Sequence, residues 1–245
     1  MRAASNGTRG RLRVAHLITR LELGGAQLNT LHTCRNLPAD RFEVHLVTGP
    51  GGILDSRARE NTEYRVHFVP GLGRKLNPVR DLLALFRLIA CLRRIDPDVV
   101  HTHSSKAGIL GRWAAWFAGV PVRVHTFHGF GFHDAQAPFY RRLLVQAERW
   151  TARITTYVLA VSMETLKAGE RERVLDPARA ECLHSGVDLE SLRGIRADRR
   201  KLLEGIGAAG DPPLVGMVAC LKPQKNPVDF LRVAERVLPE MPDAR

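Results

Sequence analysis

The sequence predicts an α/β protein: a doubly wound parallel sheet followed by an incomplete second α/β domain. Short apolar runs of strand length alternate with longer segments whose apolar residues recur at helical spacing. Glycine, proline and small polar clusters separate them. The same rhythm restarts once, after Gly210-Asp211-Pro212-Pro213. Strands joined through helices imply parallel pairing by right-handed crossovers.

Val14–Ile18 reads as the first strand, and residues 24–37 as a helix with Leu28, Leu31, Cys34 and Leu37 on one face. Phe42–Val47 is the second strand, closed by the turn Gly49-Pro50-Gly51-Gly52, and Val66–Val69 the third, stopped by Pro70-Gly71. Pro78 suits the first position of a long helix, whose apolar stripe is Val79, Leu82, Leu83, Phe86, Ile89 and Leu92. Val99–Thr102 is a strand, Ala107–Ala118 a helix, Val122–Thr126 a strand, Phe139–Ala152 a basic helix and Tyr157–Val161 a strand. Ala180–His184 reads as a seventh strand. Residues 190–211 hold a short charged helix, Leu214–Ala219 a new strand and Pro227–Leu238 a new amphipathic helix. The expected organisation is a disordered basic N-terminus over 1–11, a sheet domain over 12–190, a linker over 191–211 and the truncated start of a second domain over 212–245.

Composition excludes several classes. The net charge of +12 favours anionic partners. The basic residues are dispersed, and with nine Phe, three Tyr and three Trp no interleaved stacking platform for nucleic acid is visible. Phosphorylated ligands or an anionic membrane surface fit better. Four cysteines without a CxxC pair suggest neither zinc nor a disulfide framework. The apolar runs are too short to span a bilayer. No apolar signal region precedes Val14, so the expected location is cytoplasmic.

The richest segment is 98–133. His103, Ser104, Lys106, His128 and Gly129 fall at the C-terminal ends of two strands, the edge where open α/β sheets bind ligands. His101-Thr102-His103 is read with His101 toward one packed face and His103 toward the other. No acidic residue stands beside these histidines, so no metal is expected. Ser104-Ser105-Lys106 opens a helix; a hydroxyl there suits a cap, while Lys106 opposes the helix dipole and is either solvated or facing an anion. His128-Gly129-Phe130-Gly131 reads as a mobile loop able to close over a ligand, with His128 as hydrogen-bond partner or proton handler. Gly24-Gly25 precedes the first helix and is either a tight turn or a place where backbone approaches an anion. Lys222 and Lys225 precede the last helix, where cations and free N–H groups suit a diphosphate. GxGxxG, P-loop and GxSxG patterns are absent from the sequence.

Residues 14–31 (VAHLITRLELGGAQLNTL), 98–133, 158–162 (VLAVS), 184–189 (HSGVDL) and 214–226 (LVGMVACLKPQKN) together resemble a family 4 glycosyltransferase of the GT-B fold, nearest to the capsular and exopolysaccharide subgroup. The resemblance implies a Rossmann-like, acceptor-side N-terminal domain facing a donor-binding C-terminal one. It implies metal-independent, configuration-retaining transfer from a nucleotide-sugar donor to a saccharide or lipid-linked acceptor in cell-surface polysaccharide synthesis. Gly25 matches the glycine loop near the donor phosphates, His128 the active-site histidine that contacts the donor sugar, and Lys225 the lysine that holds the diphosphate. Gly24, His103, Ser104, Lys106 and Gly129 are expected to line the same donor site. The chain departs from the family pattern at Gln27, Ser185 and Cys220, where Glu, Asn and Arg are usual. The alternatives are a non-catalytic interaction module and a sugar-nucleotide epimerase of the same fold. The basic helices 78–95 and 139–153, with Arg87, Arg93, Arg94, Arg141, Arg142 and Arg149, are expected to meet anionic headgroups at the inner membrane face.

Overall fold

The structure, a computed structural model, describes residues 10–132, 136–219, 221 and 225–245. Most of the N-terminus expected to be disordered lies outside the described residues, as do Cys220 and Lys222. The chain forms two compact units, residues 1–187 and 188–245.

The first unit alternates β1 (Leu12–Arg20), α1 (Gly25–Asn36), β2 (Phe42–Gly49), α2 (Asp55–Arg59), β3 (Arg65–Phe68), α3 (Pro78–Ile95), β4 (Val99–His103), α4 (Ser105–Ala118), β5 (Val122–Phe127), α5 (Pro138–Ala152), β6 (Tyr157–Ala160), α6 (Met163–Arg171) and β7 (Ala180–Cys182). The seven strands form one sheet in the order β3-β2-β1-β4-β5-β6-β7, every pair parallel. The doubly wound expectation therefore holds. Two helices were not legible: α2 is too short to show a period, and α6 follows its strand at once, started by Ser162, whose hydroxyl accepts the Thr165 N–H at 3.1 Å.

Strand alternation divides the core. Ile18, Val44 and Leu46 pack with Leu31 and Cys34 of α1, while Ala15, Leu17, Val47 and Val100 pack with α3 and α4. Close packing of α4 requires glycine: a Cβ on Gly108 would lie 2.5 Å from the His125 ring. A third cluster joins Phe127, Val145, Val158, Val174 and Leu175.

The expected stripe of α3 is a correction. Ala84, Leu88, Leu92 and Ile95 are buried, whereas Val79, Leu82, Leu83 and Phe86 are exposed, Phe86 at 61%. The helix is apolar over more than one face. Only contact with α4 selects the face carrying Ala84 and Leu88, and the outer apolar row is left uncovered.

Between α4 and α5 lies a fully buried ion pair. Arg112 Nη2 donates to Glu148 Oε2 at 2.6 Å, Nη1 to Thr155 Oγ1 at 3.1 Å, and Nε to the Gly108 carbonyl at 2.8 Å. The guanidinium is thereby satisfied on three sides, the condition under which a buried charge is tolerated.

The second unit contains α7 (Leu189–Arg193), α8 (Arg199–Gly205) and α9 (Pro227–Val237). The strand expected over 214–219 is not formed. Among the described residues, Val215 N–H to Arg245 O and Arg245 N–H to Pro213 O are the backbone bonds that tie this segment, and they do not supply the neighbouring ladder a strand needs.

Replacing Glu148 by Ala strands the Arg112 cation in the core and is expected to lower unfolding free energy by about 3–5 kcal/mol in urea titrations. The double replacement Arg112→Met, Glu148→Leu is expected to recover most of that loss; an equally unstable double variant would contradict the role of the charge.

Candidate functional site

β1 pairs with β2 on one side and β4 on the other, so chain direction across the sheet reverses between β1 and β4. In an open α/β sheet the crevice at the C-terminal ends of those strands is the ligand-binding position. Here Thr19 closes β1, His103 and Ser104 close β4, and His128 follows β5, all on the same edge because the strands are parallel.

A hydroxyl pair bridges the switch point. Thr19 Oγ1 lies 2.7 Å from Ser104 Oγ and accepts the Ala107 N–H at 3.1 Å. Thr19, on another strand, therefore caps α4. Ser104 occupies the cap position but makes no side-chain cap bond, which corrects the sequence expectation. Its φ of 61° with ψ of 152° is strained for a residue with a side chain, and such strain concentrates at functional sites.

At the start of α1 the turn itself does not require glycine at Gly25, and a Cβ on Gly24 would meet only the end of the Gln27 side chain, at 2.7 Å from its Oε1. Gly24 is extended at φ −174°, a conformation open to any residue, and a Cβ on Gly25 would meet nothing within 4 Å. The helix has no side-chain N-cap and no acidic residue in its first turn, so its N–H groups and positive dipole end are open to an anion.

Histidines form the centre of the site. His101 and His103 share one face, their rings 4.3 Å apart, correcting the reading that sent them to opposite faces; residues two apart on a strand point the same way. His16, which the sequence reading passed over, joins them from β1, opposite His101 in the register. Its Nδ1 lies 3.1 Å from His103 Nε2, and His103 Nδ1 lies 3.1 Å from His128 Nε2. Burial pushes His16 and His128 from 6.5 down to about 4. Burial first, then neighbouring charges, holds His101, His103 and His125 well below the usual range. All five are neutral at neutral pH. His16, His101 and His103 offer ring nitrogens within 4.8 Å of one another, but both nitrogens of His103 are already taken by its neighbours. His125, on the other face, bonds Thr102 Oγ1 at 2.9 Å and belongs to the packing under α4.

The remaining expected residues divide. Gly129 has φ +125°, which requires glycine, and it is exposed beside His128. Lys106 has no need of a bound anion: its Nζ pairs with Asp81 Oδ1 at 2.5 Å and donates to the Lys75 carbonyl at 2.6 Å. Phe130 lies 4.8 Å from Phe127 and 4.6 Å from Phe132, joining an aromatic stack that anchors residues 127–132 instead of freeing them as a lid. Lys225 lies in the second unit, exposed and directly before α9, whose first turn carries Asp229. His16 and Thr19 were the missed residues. The available signal was a polar residue at each of two positions of an otherwise apolar strand, which a core strand tolerates only with partners.

The sheet and its crevice place the first unit among Rossmann-like α/β domains of the GT-B kind. Anabaena HepE, whose crystal structure is a complex with UDP and glucose, matches with a TM-score of 0.74 at 16% identity, over 96% of this chain and 60% of its own. The sequence narrows the assignment: residues 23–191 match the family model for Glycosyltransferase Family 4, and the chain belongs to that family. It is 32% identical over 233 residues to the UDP-Gal:alpha-D-GlcNAc-diphosphoundecaprenol alpha-1,3-galactosyltransferase of Escherichia coli, covering 94% of this chain and 59% of that protein. It is 27% identical over 126 residues to the capsular polysaccharide biosynthesis glycosyltransferase CapM of Staphylococcus aureus, covering 51% of this chain and 31% of CapM. The chain spans about three fifths of the length of the galactosyltransferase and of HepE.

The buried histidines carry a pH signature. Between 6.5 and about 4 the unfolded chain takes up protons that the folded His16 and His128 refuse, so their contribution is complete above 6.5 and lost as pH falls through that window. The urea midpoint is expected to be level above pH 7 and to drop between pH 6.5 and 4; a level midpoint through that window would contradict the buried neutral imidazoles.

Proposed function

We propose that this chain is part of a retaining glycosyltransferase that moves a sugar from a nucleotide-sugar donor to a saccharide or lipid-linked acceptor in cell-surface polysaccharide synthesis. The observation that carries the reading is the glycine pair at the open N-terminus of α1, placed at the sheet's switch point without any local demand for glycine at Gly25. Gly24 and Gly25 let donor oxygens approach backbone N–H groups. As the bond to the diphosphate breaks, charge grows on the leaving oxygen, and preorganised N–H dipoles stabilise it. His128, neutral and half-buried, offers a hydrogen bond to the donor sugar, with Gly129 following it and Ser104 at the end of the neighbouring strand β4. Lys225 is the cation proposed for the diphosphate. The E. coli relative's name supports a sugar attached to a lipid diphosphate as acceptor. No metal enters this scheme.

A lipid-linked acceptor calls for a membrane surface, and the exposed apolar rows support one. Val79, Leu82, Leu83 and Phe86 of α3, with Phe139, Leu143 and Trp150 of α5, stand outward among basic residues. The arginines are less free than the sequence suggested. Arg87 and Arg93 donate to the Pro70 and Phe117 carbonyls, and Arg141 and Arg149 pair with Glu172. Apolar insertion, with Arg94 and Arg142 adding attraction to anionic lipid, is therefore the better account of docking at the inner face. Among the described residues no helix is long and apolar enough to cross a membrane.

Incubation with radiolabelled UDP-galactose and a GlcNAc-diphosphate lipid is expected to give labelled lipid, reduced at least tenfold in His128→Ala. Epimerised or free sugar without acceptor would favour the epimerase, and no turnover of any nucleotide sugar would favour the non-catalytic module. The chain is expected to co-sediment with vesicles rich in anionic lipid and to lose most of that binding in Leu82→Asp, Phe86→Asp; unchanged sedimentation of the double variant would remove α3 from the docking surface.

A further inference from the structure

We infer that His103 and His16 are positioning residues that act through His128, locking its imidazole in the tautomer that presents Nδ1–H toward the crevice. This rests on the donor-site reading only for what His128 finally touches.

A neutral imidazole has one N–H and one lone pair. His103 contacts a histidine through each nitrogen, at 3.1 Å both times, so it must donate to one and accept from the other. The three rings therefore share one polarity. In the outward sense, His16 Nδ1–H donates to His103 Nε2, and His103 Nδ1–H donates to His128 Nε2. His128 then carries its proton on Nδ1. In the inward sense every bond reverses, and His16 must carry its proton on Nε2. That atom is fully buried and has no hydrogen-bond partner. A bare acceptor in such a place is tolerated more readily than an orphaned N–H. The outward sense is therefore selected at the buried end of the chain, by an atom that never meets a ligand. His101 holds the assembly from the side, its Nε2 bonded to Thr126 Oγ1 at 2.7 Å and its ring 5.0 Å from that of His16. Among the described residues His128 Nδ1 has no hydrogen-bond partner, and it is not sealed in the core as His16 Nε2 is, so it is the end of the relay left for a ligand.

The chemical consequence is specific. His128 meets the crevice as a neutral donor and not as a base. It suits an acceptor atom, such as a sugar hydroxyl oxygen or a phosphate oxygen, and cannot remove a proton through Nδ1.

Long-range nitrogen–proton correlation NMR on the chain with 15N-labelled histidine reads each tautomer directly. Nδ1 of His16, His103 and His128 is expected to be protonated and their Nε2 atoms pyridine-like at pH 7. Nε2–H on His128, or a doubly protonated ring, overturns the inference. In His103→Phe, His128 is expected to move to an Nε2–H or mixed population, and unchanged Nδ1–H in a folded variant also overturns it. Should that variant fail to fold, His16→Leu removes the donor to His103 and is expected to lose the His128 Nδ1–H preference; an unchanged His128 tautomer in folded His16→Leu overturns the inference. Added zinc that shifts His16, His101 and His103 together would make the cluster a metal site instead. UDP-glucose is the separate arm. Correct tautomers with no response of His128 to the sugar nucleotide refute the donor-site reading alone, and a responding His128 with Nε2–H refutes the relay alone.

Discussion

The site depends on one hydroxyl. Thr19 Oγ1 ties the end of β1 to the start of α4 across the place where the sheet reverses its winding, through Ser104 Oγ at 2.7 Å and the Ala107 N–H at 3.1 Å. A parallel sheet leaves its C-terminal edge open at such a point, because the crossovers on either side carry their helices away from it. Without the Thr19 hydroxyl the helix would lack this cap, and Ser104 would be held at its positive φ only by the Thr19 N–H to its Oγ at 3.3 Å and by the Gly108 N–H to its carbonyl at 2.7 Å. The pairing of β1 with β4 brings His103 to His16, and the end of β5 brings it to His128.

Burial then determines what those histidines can do. Removed from water, an imidazole loses its charged form first, and a row of neutral rings can satisfy itself only by donating in one common direction. The cost of this arrangement is the unpartnered Nε2 of His16. Arg112 shows the opposite solution on the far side of the sheet. It keeps its charge in the core by engaging Glu148, Thr155 and the Gly108 carbonyl together. The neutral relay serves a ligand site, and the charged cluster binds α4 to α5.

The alternation of short apolar runs and periodic segments was enough to place every strand of the first unit within a few residues, because those patterns are local consequences of backbone geometry. The switch point was also legible in outline, since strand ends and glycine pairs are visible in the chain. The side-chain assignments at the site were not. Lys106 looked like a cation awaiting an anion because Asp81 is distant in sequence and reaches it only through the packing of α3 on α4. Phe130 looked like a lid residue until Phe127 and Phe132 supplied its stack. The outer row of α3 looked like core, since a helix apolar on two faces does not say which one its neighbour will cover.

By itself the sequence determined the strand–helix order, the parallel pairing that follows from it, and membership in a family with a histidine after the fifth strand. These depend on residues near one another in the chain. The tertiary structure decided the partners of His16, Thr19, Lys106 and Arg112, and hence which groups remain free to meet a ligand. Hydrogen bonds and ion pairs act over about 3–4 Å, so their partners are set by distance in space, and residues more than 80 positions apart, as Thr19 and Ser104 are, become neighbours only after the sheet has assembled.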